Sequence, residues 1–122
     1  MFDHIGLNVR DYAGSRAFYE RALAPLGYSV VMEFEGHACA FGAESKPEFW
    51  IVQREPYGTG THVAFTTQDR GTVDAFHEAA LDAGGIDNGA PGPRPEYTAT
   101  YYAAFVHDLD GNNVEAVCHA PA

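Results

Sequence analysis

The chain has 122 residues, enough for one domain with a real core, since a domain of this size buries roughly 65% of the surface its unfolded chain exposes. Hydrophobic residues make up 46% of it, but no run approaches the ~18 apolar residues of a membrane helix, and the first strand begins too early for a secretion signal, so a soluble cytoplasmic protein is expected. With 7 basic against 17 acidic side chains the net charge is −10, which argues against nucleic acid or an anionic membrane as partners and suits a solvated acidic surface or a cationic ligand.

Residues 2–9, FDHIGLNV, alternate Ile5, Leu7 and Val9 with His4, Gly6 and Asn8, the pattern of a half-buried strand. Asp11 can cap a following helix, in which Ser15, Phe18 and Ala22 recur at i, i+3, i+7 and so share one face. Pro25 weakens its last turn and Gly27 stops it. SVVMEFE, HACAFG and FWIVQ then read as three short strands, the first two joined by a hairpin that exposes His37. Cys39 and Cys118, far apart and in apolar strands, make no disulfide framework and are expected to be reduced core residues.

From His62 the chain is written again. HVAFTTQDRGTVDAFHEAALDAGG matches HIGLNVRDYAGSRAFYERALAPLG from His4 without a gap, a displacement of 58 positions. His4 meets His62, Asp11 meets Asp69, Phe18 meets Phe76, Ala22 meets Ala80 and Gly27 meets Gly85. Val73, Phe76 and Ala80 form the second helix face, and His77, opposite Tyr19 in the match, reads as packing rather than ligation. DNGAPGPRPEY, residues 87–97, carries three prolines and two glycines and is expected to be a loop with at most one short strand near its end. TYYAAFVH and NNVEAVCH follow as clear strands around the turn DLDG.

These elements predict a single α+β domain over 1–122 made of two βαβββ modules, about 1–57 and 58–122. Their curved mixed sheets would enclose a cavity, with the helices on the outer faces. Alternation turns His4, Gly6 and Asn8 into that cavity from one copy and His62, Ala64 and Thr66 from the other. On the last strand it turns Glu115, Val117 and His119 inward, and a carboxylate among valines costs several kcal/mol unless it is paired or bound to metal. His4, His62 and Glu115 are therefore candidates for one site, and two imidazoles with one carboxylate suit a divalent first-row metal (Fe, Mn, Co, Ni or Zn) with open positions for a chelating substrate. Matching Ala40-Phe41 to Ala104-Phe105, a displacement of 64, sends Glu115 to Ile51, which cannot bind metal; Gln53 lies two residues further along the same face. Tyr97, Tyr101 and Tyr102 are pocket candidates, although alternation keeps Tyr101 and Tyr102 from facing the cavity together. His107 and His119 lie beside the Glu115 strand as neighbours of the site.

From FDHIGLNV with SRAFYERAL to THVAF and AFVHDLDGNNVEAV, the chain resembles the vicinal-oxygen-chelate superfamily, which includes glyoxalase I, extradiol dioxygenases, fosfomycin-resistance thiol transferases and bleomycin-resistance proteins. That family commonly has Asp-Pro-Asp-Gly-Asn before its ligand glutamate; here Leu109 replaces the proline and Glu115 stays in register. The resemblance implies paired βαβββ modules and a metal at His4, His62 and Glu115, in a site within one chain or across a homodimer. It puts a further carboxylate of glyoxalase I at the place of Ile51. A metal-dependent lyase, isomerase or dioxygenase acting on a small vicinal-oxygen substrate is the first reading, and a phosphonate substrate is disfavoured because the final 28 residues hold no basic side chain. The alternatives are a non-catalytic protein that sequesters a drug or metabolite, with a His/Glu cluster paired internally, and a module with a vestigial site.

Overall fold

In the computed structural model, which describes residues 1–122, each half of the chain folds as a strand, a helix and three strands. The first half runs β1 (Ile5–Val9), α1 (Tyr12–Leu23), a 3-10 turn (Ala24–Leu26), β2 (Ser29–Phe34), β3 (Ala38–Gly42) and β4 (Phe49–Gln53). The second runs β5 (His62–Thr67), α2 (Arg70–Asp82), β6 (Ile86–Pro93), β7 (Tyr102–His107) and β8 (Asn113–Cys118). Each half makes its own four-stranded sheet, ordered β1-β4-β3-β2 and β5-β8-β7-β6. β1 pairs parallel with β4, and β5 with β8, because the intervening helix supplies the crossover a parallel pair requires; the other neighbours are antiparallel.

The helices bury the faces that the periodicity predicts: Ser15, Phe18 and Ala22 on α1, and Val73, Phe76 and Ala80 on α2. They cover Leu7, Val9, Phe49 and Ile51 in the first sheet and Val63, Phe65, Val114, Ala116 and Cys118 in the second. α1 also packs on α2, and Phe65 meets Phe49 and Tyr28 with ring centroids 5.3 and 5.7 Å apart, so one core runs through both modules. Each such phenyl ring contributes about 1.5–3 kcal/mol by leaving water. Cys39 and Cys118 are free and buried in this core. The opposite face of each sheet, here the open face, receives no helix.

A buried polar clasp joins the modules. The Tyr19 hydroxyl donates to Asp108 Oδ2 at 2.5 Å, and Asp108 Oδ1 accepts from the backbone N–H groups of Asp110 and Asn112. Burial beside Asp108 pushes the Tyr19 hydroxyl well above the usual tyrosine range. Asp108 thus fixes the β7–β8 turn from inside, and Gly111 supplies its left-handed φ of 85°, so the turn keeps its shape with Leu109 in place of a proline.

Three local expectations are corrected. Residues 86–93 are not a loop: β6 is a full edge strand at the start of the Gly/Pro-rich stretch, paired to β7 through two register shifts. Pro91 and Pro93 are tolerated there because an edge strand and its bulges do not need every N–H in the ladder. The two helix caps also differ: Asp69 accepts from Gly71 N–H at 3.0 Å, whereas Asp11 makes no side-chain cap and Tyr12 N–H donates instead to Gln53 Oε1 at 2.8 Å. Finally, Ile51 pairs with Leu7 on the helix-covered face and is fully buried in the core, so it is not a pocket residue.

Candidate functional site

The register of the second sheet assembles a polar group on its open face. Ala64 on β5 lies opposite Glu115 on β8, which in turn lies opposite Phe105 on β7. His62, two residues before Ala64, shares their face. Glu115 is only 1% exposed, and both of its oxygens have partners: Oε1 lies 3.0 Å from His62 Nε2, and Oε2 accepts the Tyr101 hydroxyl. The His62 side chain stays 49% exposed with its ring stacked on Phe105, centroids 6.4 Å apart. Burial, reinforced by the bond to Glu115, pushes the Tyr101 hydroxyl up to about 12, so at neutral pH it stays protonated and donates to the carboxylate. Tyr97, exposed, meets Tyr101 edge to face at 5.0 Å, and His119 also meets Tyr101 edge to face, at 5.1 Å.

The first sheet offers a different open face. Gly6 lies opposite Trp50, Asn8 opposite Val52, and Ala40 and Ala38 continue those rows to Met32 and Phe34 on β2. Phe34 stacks on Trp50 with centroids 6.1 Å apart. His4, just before β1, is 56% exposed and holds its Nδ1 2.7 Å from Asp3 Oδ2, which keeps the Asp3 carboxyl below the usual range. A cavity of about 260 Å³ at the seam of the two modules is lined by His4, Ile5, Phe49, Ala64 and Phe65, among others. Asn8 donates to the Pro56 carbonyl at 2.8 Å and borders a separate, smaller cavity.

Of the three candidate ligands, one chain therefore brings His62 and Glu115 together and leaves His4 on the other sheet; no three His, Cys, Asp or Glu side chains of one chain converge as a metal-holding group. Thr66 is exposed on the open face, in register with Val117. Tyr102 turns the other way, as alternation requires, and donates to Asp74 on α2 at 2.7 Å beneath the Arg70 guanidinium. Gln53 caps α1 rather than facing a ligand. His77 bonds Asp87 at 2.9 Å, a surface tie between α2 and β6.

The true counterpart of Glu115 is Trp50. Gly6 and Ala64 correspond in the repeat, and their parallel partners are Trp50 and Glu115. The Ala-Phe match is one residue out of phase: Ala40 shares the open face with Trp50, while Ala104 belongs to the core. Since side chains alternate, that slip exchanges an aromatic on the open face for an isoleucine in the core.

The chain is similar over nearly its whole length to solved structures. A glyoxalase/bleomycin resistance protein from Albidiferax ferrireducens T118 superposes with a TM-score of 0.81 at 28% identity, covering 97% of this chain and 98% of that one. A glyoxalase/bleomycin resistance protein/dioxygenase family enzyme from Burkholderia phytofirmans PsJN gives 0.72 at 18% identity, over 95% and 96% of the two chains. Lactoylglutathione lyase from Agrobacterium tumefaciens gives 0.70 at 17% identity over 96% and 92%, and at such identities the likeness is one of fold. No individually curated protein matches the chain. No helix is long and apolar enough to cross a membrane. The model of the glyoxalase/bleomycin resistance protein/dioxygenase superfamily matches residues 1–116, and with two βαβββ modules in that register, the chain belongs to this superfamily.

Proposed function

We propose that the protein is a metal-dependent enzyme of lyase, isomerase or dioxygenase type acting on a small vicinal-oxygen substrate, at a site on the open face built from His62 and Glu115 and completed by His4 of a second copy. The observation that carries this reading is the buried Glu115 carboxylate with a half-exposed imidazole 3.0 Å away. An imidazole nitrogen and a carboxylate oxygen are donors suited to a divalent first-row ion, but two donors make an incomplete set. His4, exposed just before β1, has only its Nδ1 bonded, to Asp3, and pairing the two open faces of a homodimer would bring its Nε2 to the partner's His62 and Glu115.

A divalent ion bound there supplies Lewis acidity to vicinal oxygens and stabilises the negative charge that develops on them. The chain's own residues do the rest. Tyr101, protonated at neutral pH, holds Glu115 in place and keeps a proton at its Oη beside the carboxylate. Phe105 and Tyr97 form the apolar wall against which the substrate is oriented, and Trp50 with Phe34 excludes water from the facing sheet.

Metal content, measured on protein purified without chelator, tests this. Wild type should hold near-stoichiometric Fe, Mn, Co, Ni or Zn, and His4→Ala or Glu115→Ala should lose it. In mixed dimers of the two variants one site has both lesions and the other none, so half the metal should return. Metal that survives either substitution sinks the reading.

One observation favours a second reading, a metal-free protein that sequesters a drug or metabolite. Both Glu115 oxygens are already satisfied within the chain, by His62 and Tyr101, as internal pairing requires. Wild type that takes up none of these metals, and gains no thermal stability from them, would select it.

A further inference from the structure

β6 and the loop after it hold one cation beside the candidate site. The Arg94 guanidinium lies over the Phe105 ring, 5.5 Å from its centroid, and Phe105 is the ring on which His62 stacks. It is clamped there by backbone alone: Nη2 donates to the Ala90 carbonyl at 2.7 Å and Nη1 to those of Gly92 at 2.9 Å and Pro93 at 3.4 Å. The clamp is built into the chain. Gly89 lies opposite Phe105, and a Cβ there would come within 2.9 Å of that ring and 3.3 Å of Arg94 Nη2. The Arg94 backbone is pinned in turn, its N–H donating to the Tyr101 carbonyl at 2.7 Å while its own carbonyl accepts from Tyr97 at 3.0 Å.

In a chain of net charge −10, no carboxylate lies within ion-pair distance of this guanidinium. It borders a cavity of about 320 Å³ whose other walls are Asn88, Gly89, Tyr97, Phe105 and Asn113. Phe105 and Asn113 are the register neighbours of Glu115 and His62, so cavity and candidate site adjoin on one face. A guanidinium has five donors, and the three carbonyl bonds at Nη1 and Nη2 leave two, the Nε–H among them, for an oxyanion.

We infer that Arg94 is the carboxylate anchor of this site, so that the substrate class is a small monocarboxylic acid with a second oxygen function next to an apolar body. The inference deepens the proposed function and rests on its placement of the site on this open face. A single half-buried guanidinium matches one carboxylate in a bidentate pair; a phosphonate or diacid would need more positive charge than the cavity holds. The Arg94, Phe105, His62 row orients such an acid with its charge at the β6 end and its other oxygen toward Glu115.

The test uses full-length protein and two probes, mandelate and the uncharged 1-phenylethane-1,2-diol, with binding followed by ligand-observed NMR titration. Mandelate should bind wild type, and Arg94→Gln should weaken it about tenfold or more, Arg94→Lys less, with the diol unchanged in both. Equal mandelate binding by wild type and Arg94→Gln overturns the anchor, as does no mandelate binding to wild type. Parallel loss of acid and diol also overturns it, since Arg94 would then merely shape the loop. Glu115→Ala separates the two ideas: mandelate binding that needs Arg94 but is indifferent to Glu115 leaves the anchor standing and removes support from the metal reading.

Discussion

Glu115 keeps its place among β8 valines because two side chains, His62 on β5 and Tyr101 just before β7, reach its oxygens. Removing one is informative. Tyr101→Phe takes a hydrogen bond from a buried carboxylate and should cost about 1–2 kcal/mol, read as a shift in urea midpoint with unchanged slope; no shift would mean the bond contributes nothing in solution. The same residue gives a pH signature. Its folded pKa, about 12, lies above the ordinary value of 10.0, so its contribution is complete below pH 10 and is lost as pH rises through 12. Wild type should lose stability across that interval more steeply than Tyr101→Phe, which chemical denaturation at stepped pH would measure. None of this was legible from TYYAAFVH beyond the statement that one tyrosine of the pair faces each way; which one meets Glu115 depends on the β7–β8 register.

At the scale of elements, register separates what the repeat foretold from what it mislaid. The strand and helix copies align because His4/His62, Asp11/Asp69 and Phe18/Phe76 share one displacement, but the last strand of each module follows a different one, and a short Ala-Phe match chose the wrong phase. The correction predicts opposite outcomes for adjacent substitutions. Ile51→Glu buries an unpaired carboxylate in the core and should cost several kcal/mol, enough to abolish the cooperative thermal transition. Trp50→Glu places a carboxylate on the open face at the counterpart of Glu115; it should fold and raise affinity for divalent metals in a titration. Were both variants to unfold alike, the register would be wrong. The helix caps make a smaller contrast: Asp69→Ala should cost about 1 kcal/mol and Asp11→Ala little, because only Asp69 accepts from its helix.

For the whole molecule the telling feature is asymmetry between the two faces of each sheet. The helices gather both modules into one core, and the open faces carry Phe34, Trp50 and Met32 on one sheet and His62, Phe105 and Tyr97 on the other. If two copies pair through these faces, light scattering should give the mass of two chains, and Phe34→Asp should shift it toward one without lowering the helix content, since Phe34 is exposed in the single chain. A monomeric wild type would leave His4 without the partner the proposed site needs.

The sequence by itself determined the modules, the helix faces and the side to which His62 and Glu115 point, because each follows from a period of two or 3.6 repeated over several residues. Only the tertiary structure decided which residues meet across strands. That Trp50 rather than Ile51 answers Glu115, that Gln53 caps a helix, and that a Gly/Pro-rich edge strand lays Arg94 on Phe105 are all facts of register and bulge. A shift of one residue leaves every local pattern intact while exchanging the two faces, so alternation within a strand cannot report pairing between strands.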